Sequence, residues 1–259
     1  MPESVEIELY RRLAERVLGR TVASVDAPDT WFLKEGLDPT SLAAAMTGRM
    51  FTGTRRIGKL LLLDTDGPTL GLRFGMTGRL LVDGEANIDD LQYSSMRDEP
   101  AWDRVTFHLG DGGDLRIRDP RRLGGVHLDP DESKLGADVL SITPAALRAA
   151  LARSTAPVKA RLMDQSRVAG VGNLIADEAL WRAGLDPARE AGSLSAADLR
   201  RLHTHLRSTL DDLLERGGSH LGDVFHSRVP GGTCPKDGTP MIRRTVGGRT
   251  TWSCPRHQR

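Results

Sequence analysis

The chain begins Met-Pro-Glu. Once Met1 is removed, as is expected ahead of a small residue, Pro2 presents a free secondary amine. An α-amino group has a reference pKa of about 7.7–8.0, so a useful fraction is neutral near pH 7. A neutral amine attacks carbonyl-like carbons and forms Schiff bases. The carboxylate of Glu3, next in sequence, is a candidate general acid/base. A second-place proline can also be mere punctuation, so the pair gains force only from its company.

A second constellation lies in the tail, "CPKDGTPMIRRTVGGRTTWSCPRH". Cys234 and Asp237 stand three apart, Cys254 and His257 stand three apart, and 16 residues separate the pairs. That spacing is the frame of a zinc ribbon, with Asp and His at the second and fourth ligand positions. Carboxylate oxygen and imidazole nitrogen both ligate zinc. The same residues could also form a metal-free hairpin held by packing. These are the chain's two cysteines, and in a cytosolic setting a close pair points to metal before disulfide.

The third is "VAGVGNLIADEAL", where a Gly-x-Gly-Asn turn opens a helix. Amides at a helix start, with the positive end of the dipole, make an anion site suited to phosphate. Asn173 could donate to the same anion or serve as an N-cap.

The rest of the chain must position these groups. With 39% hydrophobic and 27% charged residues it is ordinary for a globular protein. No apolar run approaches a membrane span, and the start lacks a basic-then-apolar leader, so a cytoplasmic location is expected. A net charge of +1 points to no partner, but residues 217–259 hold seven Lys/Arg against two Asp, which fits a local anionic contact. Helical spacing of Val5, Leu9, Leu13 and Val17 predicts a helix over 4–19. From 21 to 130, short apolar runs broken by Gly/Asp turns predict an antiparallel β-sandwich. From 140 to 216 the helical period returns over four segments. The expected fold is therefore α+β: a catalytic β-sandwich domain over 1–130, a helical domain over 131–225 and a zinc-finger-like β-hairpin over 226–259.

Taken in order, "MPE" with Glu6, "RRIGK" with Lys59, "LRFGMTGRL", "DRVTFHL…LRIRDPRRLGG", "VAGVGNLIADEAL" and "GGRTTWSCP" resemble the formamidopyrimidine-DNA glycosylase / endonuclease VIII family. The resemblance spans nearly the whole chain. It implies a base-excision repair enzyme, a bifunctional glycosylase and abasic-site lyase acting on damaged double-stranded DNA as a monomer, with structural zinc and no organic cofactor. By that resemblance Pro2 is the nucleophile at C1′, Glu3 the general acid/base and Glu6 a supporting carboxylate. Lys59 contacts the phosphate beside the lesion, and Asn173 and Arg249 grip flanking phosphates. Met76 and Arg121 fill the gap left by the extruded base, and Arg73 joins the DNA-binding set. The helical domain carries a helix-two-turns-helix motif, and DNA is expected in the cleft between domains.

Three departures from the family pattern stand out. Leu123 occupies the third intercalating position, where the formamidopyrimidine branch usually has Phe; leucine can wedge between bases but loses aromatic stacking. Residues 217–233 are shorter than the segment that helps cap an extruded 8-oxoguanine in the family, which leans toward ring-opened purines, oxidised pyrimidines or bulkier lesions. Asp237 and His257 replace two of four usual cysteines. Competing readings are a non-catalytic lesion binder of the same fold and a zinc-ribbon RNA-binding protein, the latter leaving Pro2 and Glu3 unexplained.

Overall fold

The computed structural model describes residues 2–88, 91 and 97–259. The chain divides into two compact units: Pro2 with Glu6–Glu132, and Glu3–Val5 with Ser133–Arg259.

In the first unit, helix α1 (Ser4–Ala14) stops short of the predicted end and tightens into a 3-10 turn at Glu15–Val17. Its apolar stripe, Ile7, Tyr10, Leu13 and Ala14, is buried in the first core. There follow β1 (Val22–Asp26), α2 (Pro39–Met46), β2 (Phe51–Ile57), β3 (Leu60–Thr65), β4 (Leu70–Arg73) and β5 (Arg79–Val82). Then come β6 (Asp103–Leu109), β7 (Asp114–Arg118) and β8 (Gly125–Leu128). They form two four-stranded antiparallel sheets, ordered β1-β6-β7-β5 and β2-β3-β4-β8. Alternating inward residues, Val105, Phe107 and Ile117 from one sheet and Leu61, Leu63 and Leu72 from the other, share one core. Helix α2 interrupts a region expected to be all strand. Its start is nevertheless written in the sequence: Asp38 accepts from the Ser41 amide at 2.9 Å and Pro39 takes the first turn.

In the second unit, β9 (Ala137–Asp138) and β10 (Val168–Ala169) form a short parallel pair beside α3 (Pro144–Leu151), α4 (Val158–Leu162), α5 (Asn173–Ala183) and α6 (Ala196–Arg216). Thr143 caps α3, a reciprocal Ser195–Asp198 capping box starts α6, and left-handed Gly184 and Gly217 end α5 and α6. Nine residues of α5 are buried, as befits the central helix of this core. The tail closes as a hairpin, β11 (Ile242–Val246) with β12 (Arg249–Ser253). Its small apolar cluster is Cys234, Met241, Trp252 and Cys254 with Val224 and with Trp181 of α5. Among the described residues no helix is long and apolar enough to cross a membrane.

Candidate active site and DNA-contact residues

Met1 lies outside the described residues, and Pro2 is buried. Glu3 is 1% exposed, and its position is fixed from far along the chain. Oε1 accepts the Leu174 amide at 2.8 Å and Oε2 the Ile175 amide at 3.1 Å. Ser4 N–H donates to the Gly170 carbonyl at 3.2 Å. The carboxylate thus caps α5 from 171 residues away, satisfying two of the helix's orphan donors. The expectation that these helix-start amides await a phosphate is corrected here: Leu174 and Ile175 are spent on Glu3. Asn173 is the first residue of α5, and its Oδ1, as placed, is buried without a hydrogen-bond partner among the described residues. Glu6 is 2% exposed on α1. One turn on, the Tyr10 phenol is pushed up, first by burial and then by the Glu6 charge.

Two cations stand at the tips of two-residue hairpins. Gly58 and Lys59 join β2 to β3, with Ile57 paired to Leu60 and Gly58 at φ +59°. Gly247 and Gly248 join β11 to β12, at φ +57° and +74°, and Arg249 follows directly, exposed and paired with Val246. Positive φ at both central residues is what a twist-compatible type I′ turn demands, and two glycines supply it without strain. Arg73 lies on β4 between Leu60 and Gly125, and burial holds its guanidinium below the ordinary arginine value.

Met76 sits in the turn after β4, and Arg121 and Leu123 in the loop before β8. Leu123 is 54% exposed. The two loops touch: a Cβ at Gly75 would stand 2.5 Å from the Leu123 carbonyl carbon. The structure therefore brings Met76, Arg121 and Leu123 onto adjoining loops of the first unit. Asn173, Arg249 and Glu3 belong to the second.

The tail ligands also converge. One donor atom each of Cys234, Asp237, Cys254 and His257 lies within 4.8 Å of all the others. His257 Nε2 faces the Trp181 carbonyl at 3.0 Å, leaving Nδ1 directed at Cys234 Sγ, 3.5 Å away. The Trp181 indole N–H donates to that sulfur at 3.3 Å. An outer partner on the distal imidazole nitrogen is how ligand histidines are oriented, so the donor set fits a tetrahedral divalent metal. The Thr239 amide, at 2.9 Å, holds the Asp237 carboxyl at about 2, and burial pushes the Cys254 thiol up.

One buried network had no signal in the sequence. Lys159 Nζ, 0% exposed, lies 2.6 Å from Asp177 Oδ1 and donates to Thr251 Oγ1 at 2.8 Å. Arg228 reaches Asp177 Oδ2 at 2.9–3.0 Å. Burial pushes Asp177 up and Lys159 down, and each is opposed by its partner's charge. The network ties α5 to α4, to the segment before the hairpin and to β12, two residues from Arg249. Its three charged members are 18 to 69 residues apart, beyond any spacing rule.

Comparison with known proteins matches residues 1–126 to the formamidopyrimidine-DNA glycosylase N-terminal domain and residues 135–224 to the formamidopyrimidine-DNA glycosylase H2TH domain. Among curated relatives, the formamidopyrimidine-DNA glycosylase of Symbiobacterium thermophilum is 36% identical over all of this chain and 89% of its own length. That of Geobacillus kaustophilus is 34% identical over the full length of both. Among solved structures, a Lactococcus lactis enzyme variant in complex with Fapy-dG-containing DNA superposes with a TM-score of 0.84 at 25% identity, covering all of both chains. The Lactococcus enzyme bound to DNA containing an oxidised pyrimidine gives 0.82, again at 25% identity and full coverage.

Proposed function

Since the chain belongs to the formamidopyrimidine-DNA glycosylase family, we propose that it excises oxidised or ring-opened bases from double-stranded DNA and then nicks the strand at the abasic site. The observation that carries the reading is Glu3, seated by two α5 amides directly after the candidate nucleophile Pro2. An acid/base group next to a nucleophile needs a fixed place, and backbone donors supply one that does not depend on side-chain rotamers.

In this reading the Pro2 nitrogen lone pair attacks C1′ of an extruded nucleotide. The C1′–base bond breaks, and its electron pair leaves with the base, which takes a proton from water. The proton released by the Pro2 nitrogen passes to the Glu3 carboxylate, and from it to the ring oxygen as the C1′–O4′ bond opens. The resulting iminium is an electron sink. Loss of a C2′ proton expels the 3′ phosphate by β-elimination, and loss of the C4′ proton from the unsaturated iminium then expels the 5′ phosphate by δ-elimination. Lys59 and Arg249, on hairpin tips, would hold phosphates as point charge and fork respectively. Asn173 would join them, Glu6 would support the site, and Arg73 would belong to the DNA-binding set. Met76, Arg121 and Leu123 would fill the gap in the duplex. The exposed aliphatic Leu123 and the short 217–233 segment favour a broad lesion range, spanning ring-opened purines and oxidised pyrimidines. Cys234, Asp237, Cys254 and His257 would hold zinc, which would cross-link the hairpin and take no part in the chemistry. The protein would act as a monomer in the cytoplasm, on nucleoid DNA.

Borohydride trapping tests the core of this. Tag-free protein mixed with abasic-site DNA and borohydride should yield a covalent adduct at Pro2. Pro2→Gly, or a blocked N-terminus, should abolish nicking while binding persists. Nicking that survives a blocked terminus would refute the mechanism, and absence of any adduct would favour a non-catalytic lesion binder.

A further inference from the structure

Asp119, directly after β7, is 0% exposed, and among the described residues the hydrogen-bond donors to its carboxylate include no cationic side chain. Its carboxylate instead collects four hydrogen-bond donors from two loops. Oδ1 accepts the Thr77 hydroxyl at 2.5 Å and the Arg121 amide at 3.2 Å. Oδ2 accepts the Leu123 and Gly124 amides, each at 2.9 Å. Thr77 follows Met76 directly, so one side chain spans both loops that bear Met76, Arg121 and Leu123.

A second carboxylate lies behind the first. Arg122 sits between Arg121 and Leu123 in left-handed backbone, φ +58°, a conformation costly for a non-glycine residue. Its guanidinium is forked onto Asp29 at 2.5 and 2.6 Å. Arg104 also approaches Asp29, at 3.5 Å, and donates to the Asp119 carbonyl at 2.7 Å. Arg122 is thereby tethered to Asp29, although its side chain, 48% exposed, is open to solvent like its two neighbours in sequence.

We propose that Asp119 is the positioning residue for base extrusion: it locks the two loops into one preformed wedge, with Asp29–Arg122 as its brace. The inference rests on the glycosylase reading above. A buried carboxylate is expensive to desolvate and is tolerated only when its lone pairs are satisfied. A loop fold alone could be stabilised by apolar packing. What the carboxylate adds is directional agreement between two separate loops, which a wedge entering stacked bases requires. Asparagine cannot replace it, because its NH2 would face donors rather than accept them.

The test separates extrusion from chemistry. Asp119→Asn and the near-isosteric Thr77→Val are compared with wild type in two assays, with thermal melts alongside. One assay is base excision from a duplex containing a ring-opened purine. The other is β-elimination at a preformed abasic site in single-stranded DNA, where no stack has to be filled. Fluorescence of 2-aminopurine opposite the lesion reports wedge entry directly. Expected is a loss of excision on the order of 100-fold for Asp119→Asn and about tenfold for Thr77→Val, a matching loss of the fluorescence rise, and single-strand elimination within about twofold of wild type. Thr77→Val decides the matter if Asp119→Asn does not fold. Equal losses in both assays, or full duplex activity in a folded variant, would overturn the proposal. A wild-type protein that forms no trapped adduct would instead overturn the glycosylase reading, and this inference with it.

Discussion

Gly172 leaves the space that the Glu3 carboxylate fills. A Cβ at position 172 would stand 2.1 Å from Glu3 Cδ and 2.3 and 2.5 Å from its oxygens. The backbone there, φ −119°, is open to any residue, so the demand for glycine comes from the carboxylate alone. Gly172→Ala should therefore leave the fold intact and push Glu3 off the α5 amides. Misplacing an acid/base group by about 1 Å costs on the order of 100-fold in rate, which is the expected fall in excision. Because the effect runs through Glu3, adding Gly172→Ala to Glu3→Gln should cost little more. Single-turnover kinetics of the four proteins check this; wild-type rates for Gly172→Ala alone would sink it.

Arg249→Ala addresses the proposed phosphate grip. The side chain sits at a hairpin tip and is exposed, so its removal disturbs little of the fold. Affinity should fall by about tenfold for all lesions alike, with the slope of log affinity against log salt shallower by about one, because phosphate contacts carry no base identity. Binding titrations over several salt concentrations measure both. A loss confined to one lesion would contradict the role.

How far these features could be read from the sequence depends on range. The hairpin turns, the α5 opening and the ligand spacing in the tail are local patterns, and Gly247-Gly248 or Cys234-x-x-Asp237 declares itself within a few residues. Helix α2 was missed because its Ala-rich face, Ala43–Ala45, carries little amphipathic signal, although Asp38-Pro39 marked its start. The partner of Glu3 was illegible for another reason. The turn at 171–173 advertises free amides, and nothing local says that a carboxylate from the other end of the chain takes them.

Lys159 and Asp177 predict a large, compensable stability effect. Lys159→Met leaves the Asp177 carboxylate with Arg228 as its remaining cation in a site closed to water. Breaking a buried pair in this way costs about 3–5 kcal/mol. The triple variant Lys159→Met/Asp177→Leu/Arg228→Met removes every charge of the buried network and should recover part of that loss. Denaturant unfolding of the three proteins gives the numbers; a single variant as stable as wild type would show that the pair is not electrostatically coupled.

Metal removal tests the tail. Cys234, Asp237, Cys254 and His257 already face one another, so zinc should bind at one ion per chain, and a strong chelator should lower the unfolding temperature. Asp237, held at about 2, remains a carboxylate throughout the working range and contributes no pH dependence there. The Cys254 thiol, pushed up by burial, must instead lose its proton to ligate. Zinc affinity should accordingly rise with pH across neutrality, with proton release on binding. His257→Ala removes the donor whose far nitrogen is pinned to the Trp181 carbonyl, and should weaken zinc binding while leaving single-strand elimination near wild type. Metal analysis and calorimetry at two pH values read this out: a protein that carries no zinc after growth in its presence, and melts identically with and without chelator, would establish the hairpin as held by Trp181, Met241 and Trp252 packing alone.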